Sequence, residues 1–248
     1  MNIKSAQLGK ATKVNVLLPT DVSDARQPYK TMWLLHGLSG DASDWMRYTS
    51  IERYAKAYGL AVIMPDAERS WYTNTAYGMN FFSYITEELP ALCRKTFGCL
   101  SDNREDNIVA GLSMGGYGAL KAALTYPERY GACISLSGSL DITRKSRPYR
   151  LEEWQSIFGF NIQSALELEG GEHDLFALAE RNKKSGKPFP ELYMWCGNED
   201  SLLGVNRDFD ELLSRLEVPH VFTSSEGDHT WRFWDMHIQS ALKWKFGK

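Results

Sequence analysis

Residues 111–115 are the first part of the chain whose types and spacing suggest chemistry. They read Gly-Leu-Ser-Met-Gly, with Ser113 at the centre. An apolar run at 107–110 precedes them, and a helical pattern at 117–125 follows. A tight strand–turn–helix connection of this kind presents a serine hydroxyl at the top of a sheet, and its glycines avoid crowding of the neighbouring backbone. We therefore predict that Ser113 is a nucleophile. The alternative is a glycine-rich turn with a capping serine.

A serine hydroxyl is a weak nucleophile until a base takes its proton. The chain has five histidines. His229 lies in the segment Gly-Asp-His-Thr-Trp, between the last apolar strand pattern and the last helical pattern. A loop in that place can bring its histidine to a serine at the end of a neighbouring strand. We predict that His229 is the general base. The other histidines are in less suitable places, namely His36, His173, His220 and His237.

The base also needs a carboxylate that fixes its tautomer and stabilises the imidazolium. Asp200 follows the apolar run at 192–196, which is a suitable position. The resulting chain order of serine, aspartate and histidine is one of the known orders of such triads. Glu199 is the alternative carboxylate. Asp228 is adjacent to His229 in sequence, and we expect it to be a loop or capping residue because adjacent side chains rarely point at each other.

Acyl transfer further requires hydrogen-bond donors for the tetrahedral oxyanion. The backbone N–H of Met114, directly after the serine, is one candidate. The loop His-Gly-Leu-Ser-Gly at 36–40 follows the apolar run Thr31–Leu35, and we assign the second donor to the N–H of Leu38. The alternative for this loop is a plain strand-to-loop turn.

Several aromatic and basic residues are candidates for substrate contacts. Trp71 and Tyr72 follow the apolar run at 61–64 and are expected either to line an acyl or alcohol pocket or to pack loops together. We expect Trp45 to be structural, and Trp231 and Trp234 to hold the histidine loop. Four basic residues could bind an anionic substrate, although a solvent-exposed basic surface is the simpler interpretation. They are Arg144, Lys145, Arg147 and Arg150.

Strand and helix patterns alternate along most of the chain. This order predicts an α/β fold with a mostly parallel central sheet covered by helices on both faces. We expect one domain over residues 1–248. Residues 141–190 interrupt the rhythm and are rich in charge, so we interpret them as a small, cap-like insertion over the carboxyl ends of the strands.

The composition excludes several classes of function. The 248 residues include 28 Lys and Arg against 31 Asp and Glu, a net charge of −3, which argues against nucleic acid as a partner. No apolar run is long enough to span a membrane, and the first residues lack a signal-peptide pattern, so we expect a cytoplasmic protein without a membrane partner. No metal-ligand spacing is present. Cys133 and Cys196 are expected to be reduced, while Cys93 and Cys99 could pair only in an oxidising compartment.

The motifs together resemble the esterase D-like branch of the α/β-hydrolases. The resemblance implies the α/β-hydrolase fold, a triad of Ser113, Asp200 and His229, oxyanion donors at Leu38 and Met114, and no cofactor. It also implies a possible homo-oligomer, either a dimer or a tetramer. It covers most of the chain except 141–190, and the segments that carry it are HGLSG (36–40), SWYTNTAYG (70–78), GLSMGGYGALK (111–121), Asp200 and GDHTWRFWD (227–235).

Within this branch the pattern is most similar to tributyrin and acetyl esterases. S-formylglutathione hydrolases usually have histidines where this chain has Leu112 and Tyr117, and a tyrosine-rich segment where it has GDHTW. We therefore expect a serine carboxylesterase for short-chain acyl esters, whose partner is a small-molecule acyl ester such as an acetylated sugar or an aryl ester. S-formylglutathione hydrolase, feruloyl esterase and acyltransferase are the enzymatic alternatives. A non-enzymatic binding module is disfavoured because all three triad residues are present.

Overall fold

A central eight-stranded sheet is the main feature of the computed structural model, which describes residues 1–19, 28–143 and 151–247. Its spatial order is β1-β2-β4-β3-β5-β6-β7-β8. In chain order the strands are β1 (Asn2–Ser5), β2 (Lys10–Leu17), β3 (Thr31–Leu35), β4 (Ala61–Pro65), β5 (Asn107–Leu112), β6 (Ala132–Leu136), β7 (Glu191–Gly197) and β8 (His220–Ser225).

Most neighbouring strands of the sheet run parallel to each other. Strands β3 to β6 are buried at every residue, as expected for parallel strands that are covered on both faces. The pairs from β4 across to β8 are parallel. Only the edge pairs β1–β2 and β2–β4 are antiparallel. The carboxyl ends of β5, β7 and β8 therefore lie along one edge of the sheet.

Helices cover both faces of the sheet and enclose two separate apolar clusters. This arrangement confirms the predicted α/β-hydrolase fold. In chain order the helices are α1 (Asp44–Tyr48), α2 (Ile51–Ala57), α3 (Phe81–Ser83), a π-helical turn (Tyr84–Glu88), α4 (Leu89–Phe97), a 3-10 turn (Arg104–Asp106), α5 (Met114–Thr125), α6 (Leu151–Phe158), a 3-10 turn (Ala165–Leu168), α7 (Leu175–Ser185), α8 (Leu203–Arg215) and α9 (Trp231–Phe246). Within the described ranges, none of these helices has both the length and the apolar character needed to cross a membrane.

The start of helix α5 differs from the sequence expectation. Helix α5 begins at Met114 rather than at 117, because the glycines that suggest an extended turn are already helical and packed against neighbouring backbone. The first hairpin pairs Asn2–Ser5 with residues 10–13 at the start of β2. Helices α3 and α4 are continuous through the π-helical turn between them.

The segment between β6 and β7 is not uniform. Its last helix, α7, packs on α5 and α8 and belongs to the layer that covers the sheet. Asp174 caps this helix by accepting hydrogen bonds from the N–H groups of Phe176 and Ala177. A cap-like role remains a prediction for the part of the insertion ahead of α7. The basic group of Arg144, Lys145, Arg147 and Arg150 lies outside the described residues.

All four cysteines have free thiols in the structure. Cys93, Cys133 and Cys196 are buried and Cys99 is partly buried. The pairing of Cys93 with Cys99, which the sequence left open, is therefore not formed.

Candidate active site

Ser113 lies at a sharp turn between β5 and α5. Its backbone has φ 54° and ψ −117°, a strained conformation for a residue with a side chain. A Cβ on Gly111 would lie 2.3 Å from the carbonyl oxygen of Gly115, and a Cβ on Gly115 would lie 2.5 Å from that of Leu35. Both glycines are therefore required by close backbone contacts. Because the surrounding backbone fixes this turn, the Ser113 hydroxyl lies at the end of the strand.

His229 connects Ser113 to Asp200. Its Nε2 lies 3.0 Å from Ser113 Oγ, and its Nδ1 lies 2.7 Å from Asp200 Oδ2. A carboxylate accepts hydrogen bonds, so Nδ1 carries the proton and Nε2 is left to accept the serine proton. The structure thus brings together three side chains that follow three different strands, β5, β7 and β8.

The Asp200 carboxylate is buried, with a side-chain exposure of 0%. Its Oδ1 accepts a hydrogen bond from the N–H of Leu202 at 2.9 Å. Burial raises the pKa of Asp200, but the hydrogen bonds from His229 and from the Leu202 N–H outweigh it and keep the pKa below its ordinary value. The carboxylate is consequently ionised at neutral pH beside the imidazole.

The neighbouring carboxylates have other partners. Glu199 Oε2 accepts a hydrogen bond from the N–H of Gly227 at 2.7 Å, and thereby holds the loop that carries His229. Asp228 accepts a hydrogen bond from the Thr230 hydroxyl directly before α9. Of the candidate carboxylates, only Asp200 hydrogen-bonds to His229.

Tryptophans support the histidine loop, as expected. The Trp234 ring meets the His229 ring edge-on at 4.9 Å between centroids, and its Nε1 donates to Ser137 Oγ. Trp231 packs edge-on against both Trp234 and Trp45. Trp45 Nε1 in turn donates to the carbonyl of Leu35 at 3.0 Å. These rings connect the histidine loop to the end of β3.

The loop after β3 lies directly against the nucleophile turn. A Cβ on Gly37 would lie 2.8 Å from Leu112 Cδ1 and 3.8 Å from Ser113 Cβ. Leu38 follows Gly37 in this loop, and the role of its N–H as an oxyanion donor stays a prediction. The other candidate donor is the N–H of Met114, the first residue of α5, which has no acceptor within its own helix.

His36 shapes this loop in its neutral form. Its Nε2 accepts a hydrogen bond from the N–H of Ala67 at 2.9 Å, so the proton is on Nδ1, which donates to the carbonyl of Gly37 at 2.7 Å. Burial lowers the pKa of His36. Asp66 Oδ1 lies 3.7 Å from the same Nε2, but a nitrogen that accepts a hydrogen bond is uncharged and forms no ion pair.

Trp71 and Tyr72 lie in the core, each with an exposure of 1%. Trp71 packs edge-on against Tyr117 and Trp154, and the Tyr72 hydroxyl donates to the carbonyl of His36. These contacts support the packing alternative for both residues. A direct substrate contact stays an untested prediction.

Sequence reasoning missed Lys121, which is buried on α5 with an exposure of 2%. Its Nζ contacts the carbonyl of Tyr72, Thr73 Oγ1 and Nδ1 of His173. The available signal was a lone lysine in the apolar run Ala-Leu-Lys-Ala-Ala-Leu. In the described part of the chain, no three His, Cys, Asp or Glu side chains are grouped as metal ligands.

A family model described as putative esterase matches residues 5–244. The chain belongs to this esterase family. It is 31% identical to an acetyl esterase of Caldicellulosiruptor saccharolyticus, over 98% of this chain and 96% of that protein.

Two solved structures from Staphylococcus aureus are similar to this esterase over nearly its whole length. FphF, a fluorophosphonate-binding serine hydrolase, is 36% identical, with a TM-score of 0.88 over 100% of this chain and 97% of that one. FrmB, described as an S-formylglutathione hydrolase, is also 36% identical, with a TM-score of 0.86 over 99% and 97%. The protein is thus a carboxylic ester hydrolase of the serine esterase type.

Proposed function

We propose that Ser113, His229 and Asp200 catalyse the hydrolysis of short-chain acyl esters through an acyl-enzyme. The observation that supports this most directly is the continuous hydrogen-bond chain from the buried Asp200 carboxylate through His229 to Ser113 Oγ. Such a chain activates a hydroxyl at neutral pH because the imidazole can take its proton while the carboxylate stabilises the resulting imidazolium.

Acylation would begin when Ser113 Oγ attacks the ester carbonyl carbon and its proton moves to Nε2 of His229. The carbonyl oxygen becomes an oxyanion, and the N–H groups of Leu38 and Met114 would donate hydrogen bonds to it. Collapse of the tetrahedral intermediate breaks the bond to the leaving oxygen. His229 returns the proton to that oxygen, and the alcohol departs.

Deacylation repeats these steps with water as the nucleophile. His229 takes a proton from water, the hydroxide attacks the acyl carbon, and the same two N–H groups hold the second oxyanion. Collapse breaks the bond to Ser113 Oγ, which regains its proton from His229. The net reaction is an ester plus water giving a carboxylic acid and an alcohol, with no cofactor.

The choice between ester and thioester substrates is also a proposal. The acetyl esterase relative supports an ester, whereas FrmB supports S-formylglutathione as the alternative. Leu112 and Tyr117 replace the histidines expected for glutathione thioesterases, and both are buried; the Tyr117 hydroxyl donates to the carbonyl of His173. Since these two positions serve packing here, we favour the ester.

Hydrolysis of p-nitrophenyl esters from two to twelve acyl carbons, beside S-formylglutathione, tests this proposal. We expect turnover to be highest for the shortest acyl chains and to disappear in Ser113→Ala. Ser214→Ala, an exposed serine on α8, is the matched control and should retain wild-type turnover. Faster turnover of S-formylglutathione than of every ester would favour the thioesterase. Wild-type activity in Ser113→Ala would refute the assigned nucleophile.

A cytoplasmic location and a dimeric or tetrameric state also remain proposals. Light scattering coupled to size-exclusion chromatography measures the oligomeric state directly.

A further inference from the structure

Two consecutive residues beside the site have left-handed backbone conformations. Trp71 has φ 51° and Tyr72 has φ 49°. Large aromatic residues rarely adopt this region, and two in succession store strain. Such strain persists only where the surrounding structure enforces it, and it is concentrated at functional sites.

Three side chains enforce the conformation of this pair. Ser70 Oγ accepts a hydrogen bond from the N–H of Tyr72 at 3.1 Å, and Thr73 Oγ1 donates to the carbonyl of Trp71 at 3.1 Å. Lys121 Nζ donates to the carbonyl of Tyr72 at 3.2 Å and to Thr73 Oγ1 at 2.8 Å. Lys121 thereby ties the left-handed pair to α5, the helix that begins directly after Ser113.

The strained backbone aims the Tyr72 side chain at the loop after β3. The ring lies on Gly118 of α5, where a Cβ would come within 2.4 Å of a ring carbon. Its hydroxyl donates to the carbonyl of His36 at 2.9 Å. Burial raises the pKa of Tyr72 well above its usual value, so the phenol remains a hydrogen-bond donor.

The hydrogen bonds of His36 link the position of the Tyr72 hydroxyl to the orientation of the Leu38 peptide. Tyr72 fixes the peptide plane between His36 and Gly37, because it holds the His36 carbonyl. The His36 ring and the N–H of Gly40 hold the carbonyl of Gly37 at 2.7 and 3.1 Å. A trans peptide points its N–H opposite to its carbonyl, so fixing the Gly37 carbonyl fixes the direction of the Leu38 N–H.

We propose that Tyr72 is a positioning residue for the oxyanion hole, and that Lys121 holds Tyr72 in place. The inference rests on the proposed role of Leu38 as an oxyanion donor. Tyr72 acts through His36 and the Leu38 loop, and it need not touch the substrate.

Tyr72→Phe is the sharpest test because it removes one hydroxyl and leaves the ring on Gly118. Deleting an oxyanion donor typically costs 10²–10³-fold in kcat, and a misdirected donor should cost less, so we expect kcat for p-nitrophenyl acetate to fall about 10-fold. KM should change less than about twofold, because the oxyanion forms only in the transition state. Lys121→Met should lower kcat in the same direction, and the double variant should lose less than the product of the two single losses.

Inhibition by an alkyl trifluoromethyl ketone distinguishes a positioning role of Tyr72 from a purely structural one, because a purely structural role would leave the inhibition constant unchanged. The ketone forms a tetrahedral oxyanion with the serine, so its inhibition constant should rise in parallel with the loss of kcat in Tyr72→Phe. Tyr54→Phe is the matched control, since Tyr54 is also buried and its hydroxyl bonds the Asp235 carboxylate on the far side of the sheet. The control should retain wild-type kcat, even where its melting temperature falls as much.

Each outcome decides a different point. Wild-type kcat and inhibition in a folded Tyr72→Phe would overturn the inference and leave the proposed triad intact. Equal losses in Tyr72→Phe and Tyr54→Phe would also overturn it, because the effect would then be general destabilisation. A wild-type protein that neither turns over esters nor labels with a fluorophosphonate would overturn both the inference and the proposed function.

Discussion

The Nδ1 of His229 lies 2.7 Å from Oδ2 of Asp200, and the Asp200 side chain is completely buried. The His229 side chain is 34% exposed, and its other nitrogen, Nε2, lies 3.0 Å from Ser113 Oγ. A buried anion leaves the ring little freedom in tautomer or orientation. The buried carboxylate therefore keeps the proton of the neutral imidazole on Nδ1 and leaves Nε2 as the acceptor for the Ser113 proton.

Replacing Asp200 by Asn should remove most activity without removing the fold. The amide can donate to Nδ1, which moves the imidazole proton to Nε2, where it blocks acceptance of the serine proton. The same change in a serine protease lowers kcat about 10⁴-fold, and we expect a fall of about 10³–10⁴-fold here. The measurement is kcat for p-nitrophenyl acetate at pH 7.5.

Glu199→Gln is the control for Asp200→Asn. Glu199 is the adjacent carboxylate, but it accepts a hydrogen bond from the N–H of Gly227, whereas the carboxylate that hydrogen-bonds to His229 is Asp200. The glutamine amide oxygen can still accept the hydrogen bond from Gly227, and the tautomer of the imidazole is unchanged, so kcat should fall less than about tenfold. Equal losses from the two variants would contradict the assignment of Asp200.

Gly115→Ala should damage both stability and activity. The added Cβ would lie 2.5 Å from the carbonyl oxygen of Leu35 and 2.7 Å from that of His36. Backbone atoms cannot move aside cheaply, so we expect a loss of about 1–3 kcal/mol in the free energy of unfolding. Urea denaturation measures it.

Gly204→Ala is the control for Gly115→Ala, and we expect this variant not to lower the free energy of unfolding. Gly204 lies in the first turn of α8, and its Cβ would meet no atom within 4 Å. Alanine in a helix is better than glycine by up to about 1 kcal/mol, so this variant should be as stable as the wild type or slightly more stable. A comparable loss in both variants would show that the contacts of Gly115 are not the cause.

The four thiols should differ sharply in reactivity. Burial raises the pKa of Cys93 and of Cys196 to about 12, and it raises the pKa of Cys133 as well. Only the thiolate reacts quickly, so Ellman's reagent should modify at most Cys99 in the native protein. All four should react in guanidinium chloride without a reductant. A count of two under those conditions would indicate the disulfide that the structure lacks.

The strands and the proximity of Ser113, Asp200 and His229 could be predicted from the sequence because their signals are local. The apolar run at Thr31–Leu35 matches β3 to the residue, and the run at 61–64 lies within β4. Ser113, Asp200 and His229 each follow such a run, so predicting the strands also predicts one shared edge. The boundaries of α5 were less accessible, because Gly115, Gly116 and Gly118 are helical for tertiary reasons, and each faces a close neighbour.

The orientation of Tyr72 could not be predicted in this way. No local propensity places two aromatic residues in left-handed conformations. The cause is a set of contacts from distant parts of the chain, above all Lys121 and the carbonyl of His36. Aromatic residues in a loop near the nucleophile are compatible with both a pocket and packing, and their packing contacts are visible only in three dimensions.

Lys121 should make the free energy of unfolding depend on pH between about 7 and the ordinary lysine pKa above 10. Burial lowers the pKa of Lys121 to about 7, although the negative charge of Glu172 acts in the opposite direction and raises the pKa. Between that pKa and the ordinary value above 10, the unfolded chain binds one proton more than the native protein, so stability rises with pH. From pH 7 to 9, we expect the wild type to gain about 2 kcal/mol relative to Lys121→Met, as measured by urea denaturation at each pH.

The surroundings of Lys121 make this window interpretable. His173 contacts Nζ, and burial lowers its pKa to about 3, so His173 is neutral in the native protein throughout the range. It adds only a small slope near pH 7, because an unfolded histidine has already lost most of its proton there. Tyr72 and Thr73 face Nζ with a carbonyl and a hydroxyl, neither of which titrates between pH 7 and 9. Lys95→Met, at an exposed site on α4, controls for the loss of one lysine. If the free energy of unfolding changes with pH in the same way for the wild type and Lys121→Met, the buried amine keeps its proton over the whole range. Its three acceptors would then stabilise the ammonium more than burial destabilises it.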